Sequence, residues 1–234
     1  MHNTFSELLS QPLNGKVVIV RVDFNVPIAN DTVSDNTRIK ASLPTIQALS
    51  QHGARVVLIT HLKRPDGKII EALRLNAVRD ELQQLLDMPV RKTDECIGED
   101  VRLAIEALND GDVLMLENIR FYDEETANDA DFSDTLASYA DFFVQDAFGT
   151  VHRCHSSTVG IAQRLPAFSG QLLDKEINYL GGIITNPQRP FVAIVGGSKI
   201  STKFMVLDNL LNSVDALVLG GAMVYTLLKA QGHL

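Results

Sequence analysis

Val17-Val18-Ile19-Val20-Arg21-Val22-Asp23-Phe24-Asn25-Val26-Pro27 is the stretch on which the reading of the fold turns. Its opening residues are aliphatic without polar alternation, the pattern of a strand covered on both faces, as in a parallel sheet. It then passes into Asp, Asn and Pro, which interrupt regular pairing at the point where a strand must stop. Five further runs repeat the theme: RVVLIT at 55–60, DVLMLE at 112–117, DFFVQD at 141–146, FVAIV at 191–195 and ALVLG at 216–220. Between them, helical patterns span 37–51, 76–86, 100–108, 132–139, 174–185 and 203–211. Strand alternating with helix predicts an α/β doubly wound parallel sheet, a Rossmann-like three-layer α/β/α arrangement.

The 234 residues are 45% hydrophobic and 21% charged, enough apolar material for a core and incompatible with intrinsic disorder. The net charge of −8 argues against a nucleic-acid partner, which would call for a basic surplus. The aliphatic runs are too short to cross a bilayer, and MHNTFSELLSQPLNGK lacks the apolar stretch of a signal peptide. Cys96 and Cys154 stand 58 positions apart with no CxxC pair, so no disulfide framework is expected. These features predict a soluble, cytoplasmic protein with no membrane partner.

Asn186-Pro187-Gln188-Arg189-Pro190 stops the helix predicted at 174–185 and stiffens the connection to the next strand. The expected organisation is one domain over 1–188 and the opening of a second α/β domain over 189–234. The latter has too few residues to cover both faces of a parallel sheet.

In open α/β sheets, ligands bind beyond the carboxyl ends of the strands. There the sequence places Asp23-Phe24-Asn25, His61-Leu62-Lys63-Arg64, Glu117-Asn118-Ile119-Arg120 and Asp146 to His155, with Arg38 at the start of the first long helix. An acidic chain thus gathers Arg38, His61, Arg64, Arg120 and Arg153 where one crevice can collect them. Guanidinium forks match phosphate and carboxylate oxygens, and several together suit a small polyanion. The alternative for each arginine is an ordinary surface ion pair.

A second cluster, Gly196-Gly197-Ser198-Lys199-Ile200-Ser201-Thr202-Lys203, follows a strand and opens a helix, with Lys199 and Lys203 four residues apart on one helical face. Gly220-Gly221-Ala222-Met223 follows the next strand. Neither matches the GxxxxGK[ST] or GxGxxG patterns, so phosphate cradle and plain tight turn stay open. Two weaker signals read as structural. His152-Arg153-Cys154-His155 lacks a partner pair for a metal, and Asn128-Asp129-Ala130-Asp131 lacks the glycine and glutamate of a calcium loop. The latter is expected to be a solvated turn with a helix cap at Asp131. Two anion sites, one per domain, suggest transfer between two phosphorylated or carboxylated ligands.

Taken together, Arg21-Val22-Asp23-Phe24-Asn25-Val26-Pro27, Asp35-Asn36-Thr37-Arg38-Ile39, His61-Leu62-Lys63-Arg64-Pro65, Leu116-Glu117-Asn118-Ile119-Arg120-Phe121, Asp146-Ala147-Phe148-Gly149-Thr150 and His152-Arg153-Cys154-His155 resemble the phosphoglycerate kinase family, in its order. Gly196-Gly197-Ser198-Lys199 and Gly220-Gly221-Ala222-Met223 resemble its first nucleotide-side loops. The resemblance implies a two-domain glycolytic kinase. It would interconvert 1,3-bisphosphoglycerate plus ADP with 3-phosphoglycerate plus ATP, using Mg²⁺, and be a monomer in its full-length form. It implies substrate binding at Asp23, Phe24, Asn25, Arg38, His61, Leu62, Lys63, Arg64, Arg120 and Arg153. Nucleotide contacts would fall at Gly197, Ser198, Lys199, Lys203, Gly220 and Gly221. Arg38, Lys203 and Lys199 would stabilise charge during transfer, and the helix at 174–185 would be a hinge for domain closure.

The sequence departs from that family at Lys63, where glycine is usual, at Ala222 in place of a third glycine, and at Cys154 and Ser156 in the arginine loop. The family also continues with a second half comparable in size to the first, which carries the rest of the nucleotide site and the magnesium ligand. The expectation is therefore a truncated chain that binds phosphoglycerate but is largely inactive. The competing readings are a non-catalytic anion-binding α/β module and a dinucleotide-dependent oxidoreductase. The oxidoreductase is disfavoured because 21–27 contains no glycine.

Overall fold

A computed structural model describes residues 3–201 and 203–233, so Thr202 of the second glycine loop lies outside the described residues. The strands are β1 Val17–Arg21, β2 Ile28–Ala29, β3 Thr32–Val33, β4 Arg55–Ile59, β5 Val90–Lys92, β6 Val113–Met115, β7 Phe142–Gln145, β8 Ala167–Ser169, β9 Val192–Gly196 and β10 Ala216–Gly220. The α-helices are α1 Phe5–Leu9, α2 Thr37–Gln51, α3 Asn76–Leu86, α4 Glu99–Glu106, α5 Asp123–Ala127, α6 Ala130–Ala137, α7 Gln171–Thr185, α8 Phe204–Leu211 and α9 Met223–Ala230. The chain divides into two compact units, 1–176 and 177–234, and the division falls inside α7. The boundary expected at 188 lies just past the far end of that helix.

The first unit holds a six-stranded parallel sheet in the order β5-β6-β4-β1-β7-β8. The expected doubly wound architecture is present because β1 and β4 are aliphatic at every interior position. Val18 and Val20 pack with Ile39, Ile46 and Leu49 of α2 and with Leu82 of α3 on one face. Ile19 turns the other way, into a cluster with Val57, Val101 and Ile105 of α4, Leu136 of α6 and Phe143. Side chains alternate across a strand, so a run without polar residues needs a helical layer on each face.

Several short elements lie outside the predicted pattern. β5 and β8 have three residues each, and β2 and β3 two each, too few for periodicity to register. The β2–β3 hairpin turns on Asn30 and Asp31, with φ of 50° and 56°, a conformation that short polar side chains tolerate. α6 begins earlier than expected because Asp129, not Asp131, is its cap: the Asp129 carboxylate accepts the Phe132 amide at 2.9 Å. Asp131 sits in the first helical turn. α8 begins at Phe204, so Lys199 lies in the preceding loop and does not share a helical face with Lys203.

Within the second unit, β9 and β10 form a two-stranded parallel sheet with α8 and α9. Its strands alternate between exposed and half-buried positions.

Candidate active site at the strand ends

Four strands of the first sheet leave functional side chains beyond their carboxyl ends. β1 delivers Asp23 and Asn25, β4 delivers His61 and Arg64, and β6 delivers Asn118 and Arg120. The segment after β7 runs through a 3₁₀ turn at Phe148–Thr150 to Arg153. Arg64, Arg120 and Arg153 converge on a cavity of about 250 Å³, lined also by Asp66, Gly67, Asp123, Thr126 and His155.

Arg120 is the telling member. It is 6% exposed, its Nη1 donates to the Lys63 carbonyl at 3.3 Å, and its Nε and Nη2 have no hydrogen-bond partner among the described residues. Burial, then the Arg153 and Arg64 cations, push its pKa below the usual guanidinium value, against the pull of Glu125 and Asp23. Unpaired donors on a buried cation cost free energy until an anion accepts from them. Asn118 sets the approach, taking the Leu62 and Arg120 amides on Oδ1 (3.1 and 3.2 Å) and giving Nδ2 to the carbonyls of Leu62 and Leu73.

A hydrogen-bonded chain leads outward from Arg120. Lys63, which supplies the carbonyl, donates its amide to Asn25 Oδ1 at 2.9 Å, and the Asn25 amide donates to Asp23 Oδ1 at 3.3 Å. Asp23 Oδ2 accepts from Arg38 Nη1 at 2.8 Å, so Arg38 sits on the first turn of α2 in an ion pair beside the cavity, outside its lining. Lys63 has φ +56°, the left-handed region, which accounts for the glycine expected there. Ala222, with φ −65°, makes no such demand.

His61 is not in the cavity lining. It is 4% exposed and lies against Arg21, whose Nη2 is 3.1 Å from His61 Nδ1. Burial, followed by the Arg21, Arg120, Arg153 and Arg38 cations, lowers its pKa to about 2. The Phe24 and Leu62 side chains are fully buried in the apolar core, and their amides donate to Thr60 and Asn118. Asp66, Asp123, Thr126 and His155 are lining residues that the sequence reading misses. The Asp66-Gly67 turn right after Arg64-Pro65 and the His155 of the arginine loop are the available signals. Cys154 accepts from Asn128 Nδ2 at 3.4 Å, and His155 Nδ1 lies 3.5 Å from Glu125 Oε1.

In the second unit, two glycine loops touch. Gly221 has φ +72°, and a Cβ there would stand 2.8 Å from the Gly197 carbonyl oxygen. The Met223 amide donates to that same carbonyl at 3.0 Å. Lys203 lies across Gly197, where a Cβ would meet Nζ at 2.8 Å. Gly197, Gly221 and Lys203 are thus neighbours, while Ser198 and Lys199 lie in the loop between β9 and α8 and Gly220 closes β10. Among the described residues no three His, Cys, Asp or Glu side chains converge to hold a metal ion.

Fold and site together define a doubly wound α/β protein with a small basic cavity at the carboxyl ends of its strands. A family model for phosphoglycerate kinase matches residues 9–234. The phosphoglycerate kinase of Moorella thermoacetica is 55% identical over 221 residues, covering 94% of this chain and 56% of that protein. That of Dictyoglomus turgidum is 50% identical over 230 residues, covering 98% and 58%. The structure of phosphoglycerate kinase from Coxiella burnetii superposes with a TM-score of 0.85 at 37% identity, over 99% of this chain and 58% of that one. The chain belongs to the phosphoglycerate kinase family, and it spans somewhat over half the length of the curated relatives it matches.

Proposed function

We propose that this chain serves the phosphoglycerate kinase reaction, the reversible transfer of a phosphoryl group from 1,3-bisphosphoglycerate to ADP, giving 3-phosphoglycerate and ATP in the cytoplasm. One observation carries the reading: a buried Arg120 with two donor nitrogens unpaired among the described residues lines a small cavity shared with Arg64 and Arg153. Such a cavity is complementary to one phosphate or carboxylate group and too small for a nucleotide. Phosphoglycerate would place an anionic group there. The hydroxyl or carboxylate at its other end would meet Asp23, Asn25 and Arg38.

Phosphoryl transfer asks a protein for positioning and charge stabilisation more than for covalent chemistry. Arg38, exposed and paired with Asp23, has the reach to follow charge developing on the transferring group. Lys203 and Lys199, with Gly197, Ser198, Gly220 and Gly221, would meet the phosphates of ADP or ATP. Mg²⁺ would arrive with the nucleotide, as part of that substrate. α7, within which the two units divide, is the connection about which one unit would move against the other. Domain 1–188 would thus be the phosphoglycerate side and 189–234 the nucleotide side. No helix among the described residues is long and apolar enough to cross a membrane.

Titration calorimetry of the chain with 3-phosphoglycerate tests this directly. Saturable one-site binding is expected, weakening with salt. Arg120→Ala should lower affinity roughly 30- to 100-fold, the loss of about 2–3 kcal/mol of charged hydrogen bonding. A folded chain that gives no saturable heat, or an Arg120→Ala protein that binds as well as the parent, would overturn the assignment. Transfer itself is read by ATP formation from 1,3-bisphosphoglycerate and ADP.

A further inference from the structure

Behind the cavity lies a buried polar chain that meets its lining at His155. Glu125 on α5 is fully buried and accepts twice from Ser157, whose amide donates to Oε2 at 2.8 Å and whose hydroxyl donates to Oε1 at 2.6 Å. Both contacts come from one residue because Ser156–Gly160 winds as a single wide π-type turn, closed by the Gly160 amide on the His155 carbonyl at 3.2 Å. With its proton committed to Glu125, the Ser157 oxygen has lone pairs left. One accepts from Arg21 Nε at 2.8 Å. Arg21, itself fully buried, gives Nη1 to the Val22 carbonyl at 2.5 Å and Nη2 to His61 Nδ1 at 3.1 Å.

Direction is forced along this chain. A guanidinium has five donors and no acceptor, so His61 Nδ1 must accept and the imidazole proton must reside on Nε2. Nε2 has no hydrogen-bond partner among the described residues. We infer that Glu125 and Ser157 are positioning residues that, through Arg21, fix His61 as a neutral imidazole whose Nε2–H is left for a ligand that extends beyond the cavity. The inference rests on the phosphoglycerate reading for the identity of that ligand, but not for the tautomer. The charged groups that act most strongly on His61 are Arg21, Arg120, Arg153 and Arg38, all cationic, and burial acts in the same direction. Glu125 is the buried counter-charge. Burial alone would raise its pKa, but His155, Arg21 and the two Ser157 donors outweigh that and hold it below the usual carboxylate range. His61 therefore contributes one oriented donor to a site already rich in cations, without a further charge.

The test is nitrogen-15 NMR of the His61 side chain in the whole chain, assigned by loss of its signals in His61→Gln. The Nε2–H tautomer with no titration from pH 5 to 8 is expected. In Ser157→Ala and Glu125→Gln the Nδ1–H form or a titrating imidazole should appear, and the 3-phosphoglycerate affinity should fall roughly tenfold with a matching pH dependence. Ser157→Thr, which keeps the hydroxyl, should restore the tautomer. If Glu125→Gln fails to fold, Ser157→Ala and the parent chain decide. An Nδ1–H or titrating His61 in the parent, or an unchanged tautomer in Ser157→Ala, overturns the inference. A correct tautomer in a parent chain that ignores 3-phosphoglycerate counts instead against the proposed function.

Discussion

β1 and β9 are written in nearly the same letters, Val-Val-Ile-Val-Arg and Val-Ala-Ile-Val-Gly, yet they live in different surroundings. Val18, Ile19 and Val20 have no exposed surface, whereas Ile194 is 79% and Val192 48% exposed. The residue types do not explain the gap. β1 has a strand on each side and a helical layer on each face, while β9 has one neighbouring strand in a two-stranded sheet. Aliphatic sequence states a demand for cover, and only the neighbours meet it. The polar machinery divides the same way. The arginine cavity stands on the fully covered sheet, where its side chains are held by packing, and the glycine loops stand on the sparsely covered one.

Paired truncations put the largest number on this contrast. Leu58→Ala, in β4 with no exposure, should cost about 2–5 kcal/mol in urea unfolding. Comparable losses from Ile194→Ala would break the comparison, since an exposed aliphatic should cost less than about 0.5 kcal/mol.

Next in size is a pH effect confined to the first unit. Asp146, fully buried after β7, accepts the Leu172 amide of α7 on Oδ1 at 2.9 Å, while Oδ2 has no hydrogen-bond partner among the described residues. Burial raises its pKa to about 6 from 3.8, although the Thr45 hydroxyl and the α7 amides favour the charged form. The fold thus prefers the protonated acid. Its contribution to stability is complete below pH 3.8 and declines as pH rises through 6, by roughly 2–3 kcal/mol at most. Asp146→Asn keeps an oxygen for the helix amides and should flatten that limb in unfolding curves taken at a series of pH values.

Smaller effects sharpen the local picture. Gly221→Ala should cost about 1–2 kcal/mol, seen as faster amide exchange in β9 and β10 with β1 and β4 unchanged, because both φ and the Gly197 carbonyl oppose a side chain. Lys63→Gly should stabilise the first unit by about 0.5–1 kcal/mol in urea unfolding, by relieving a left-handed lysine.

Legibility in the sequence obeys the same logic of cover. The long strands and helices could be read because burial on two faces leaves an uninterrupted aliphatic signature, and α2 and α3 begin and end where the spacing put them. The three cavity arginines were legible because each comes after a strand, and strand ends share one rim. β5 and β8 were not, since three-residue edge strands have too little length to show a period. Glu125 was invisible for a different reason. In Asp123-Glu124-Glu125 it reads as one more solvated acid, and its burial depends on Ser157, 32 positions away, through a wide turn that no local pattern announces. The exchange of Asp131 for Asp129 as a cap is a two-residue error of register, where both acids qualify chemically and only backbone geometry chooses.

The contact between Gly221 and the Gly197 carbonyl has a meaning for anyone who would redesign this protein. The side-chain space of 221 is taken by the backbone at 197, 24 positions away, and that of 197 by the end of Lys203. The two positions therefore differ in what they tolerate: a side chain at 197 meets a flexible chain end that can swing aside, whereas one at 221 meets fixed backbone. A library at 197 is best built with 203 varied beside it, while 221 is best held as glycine.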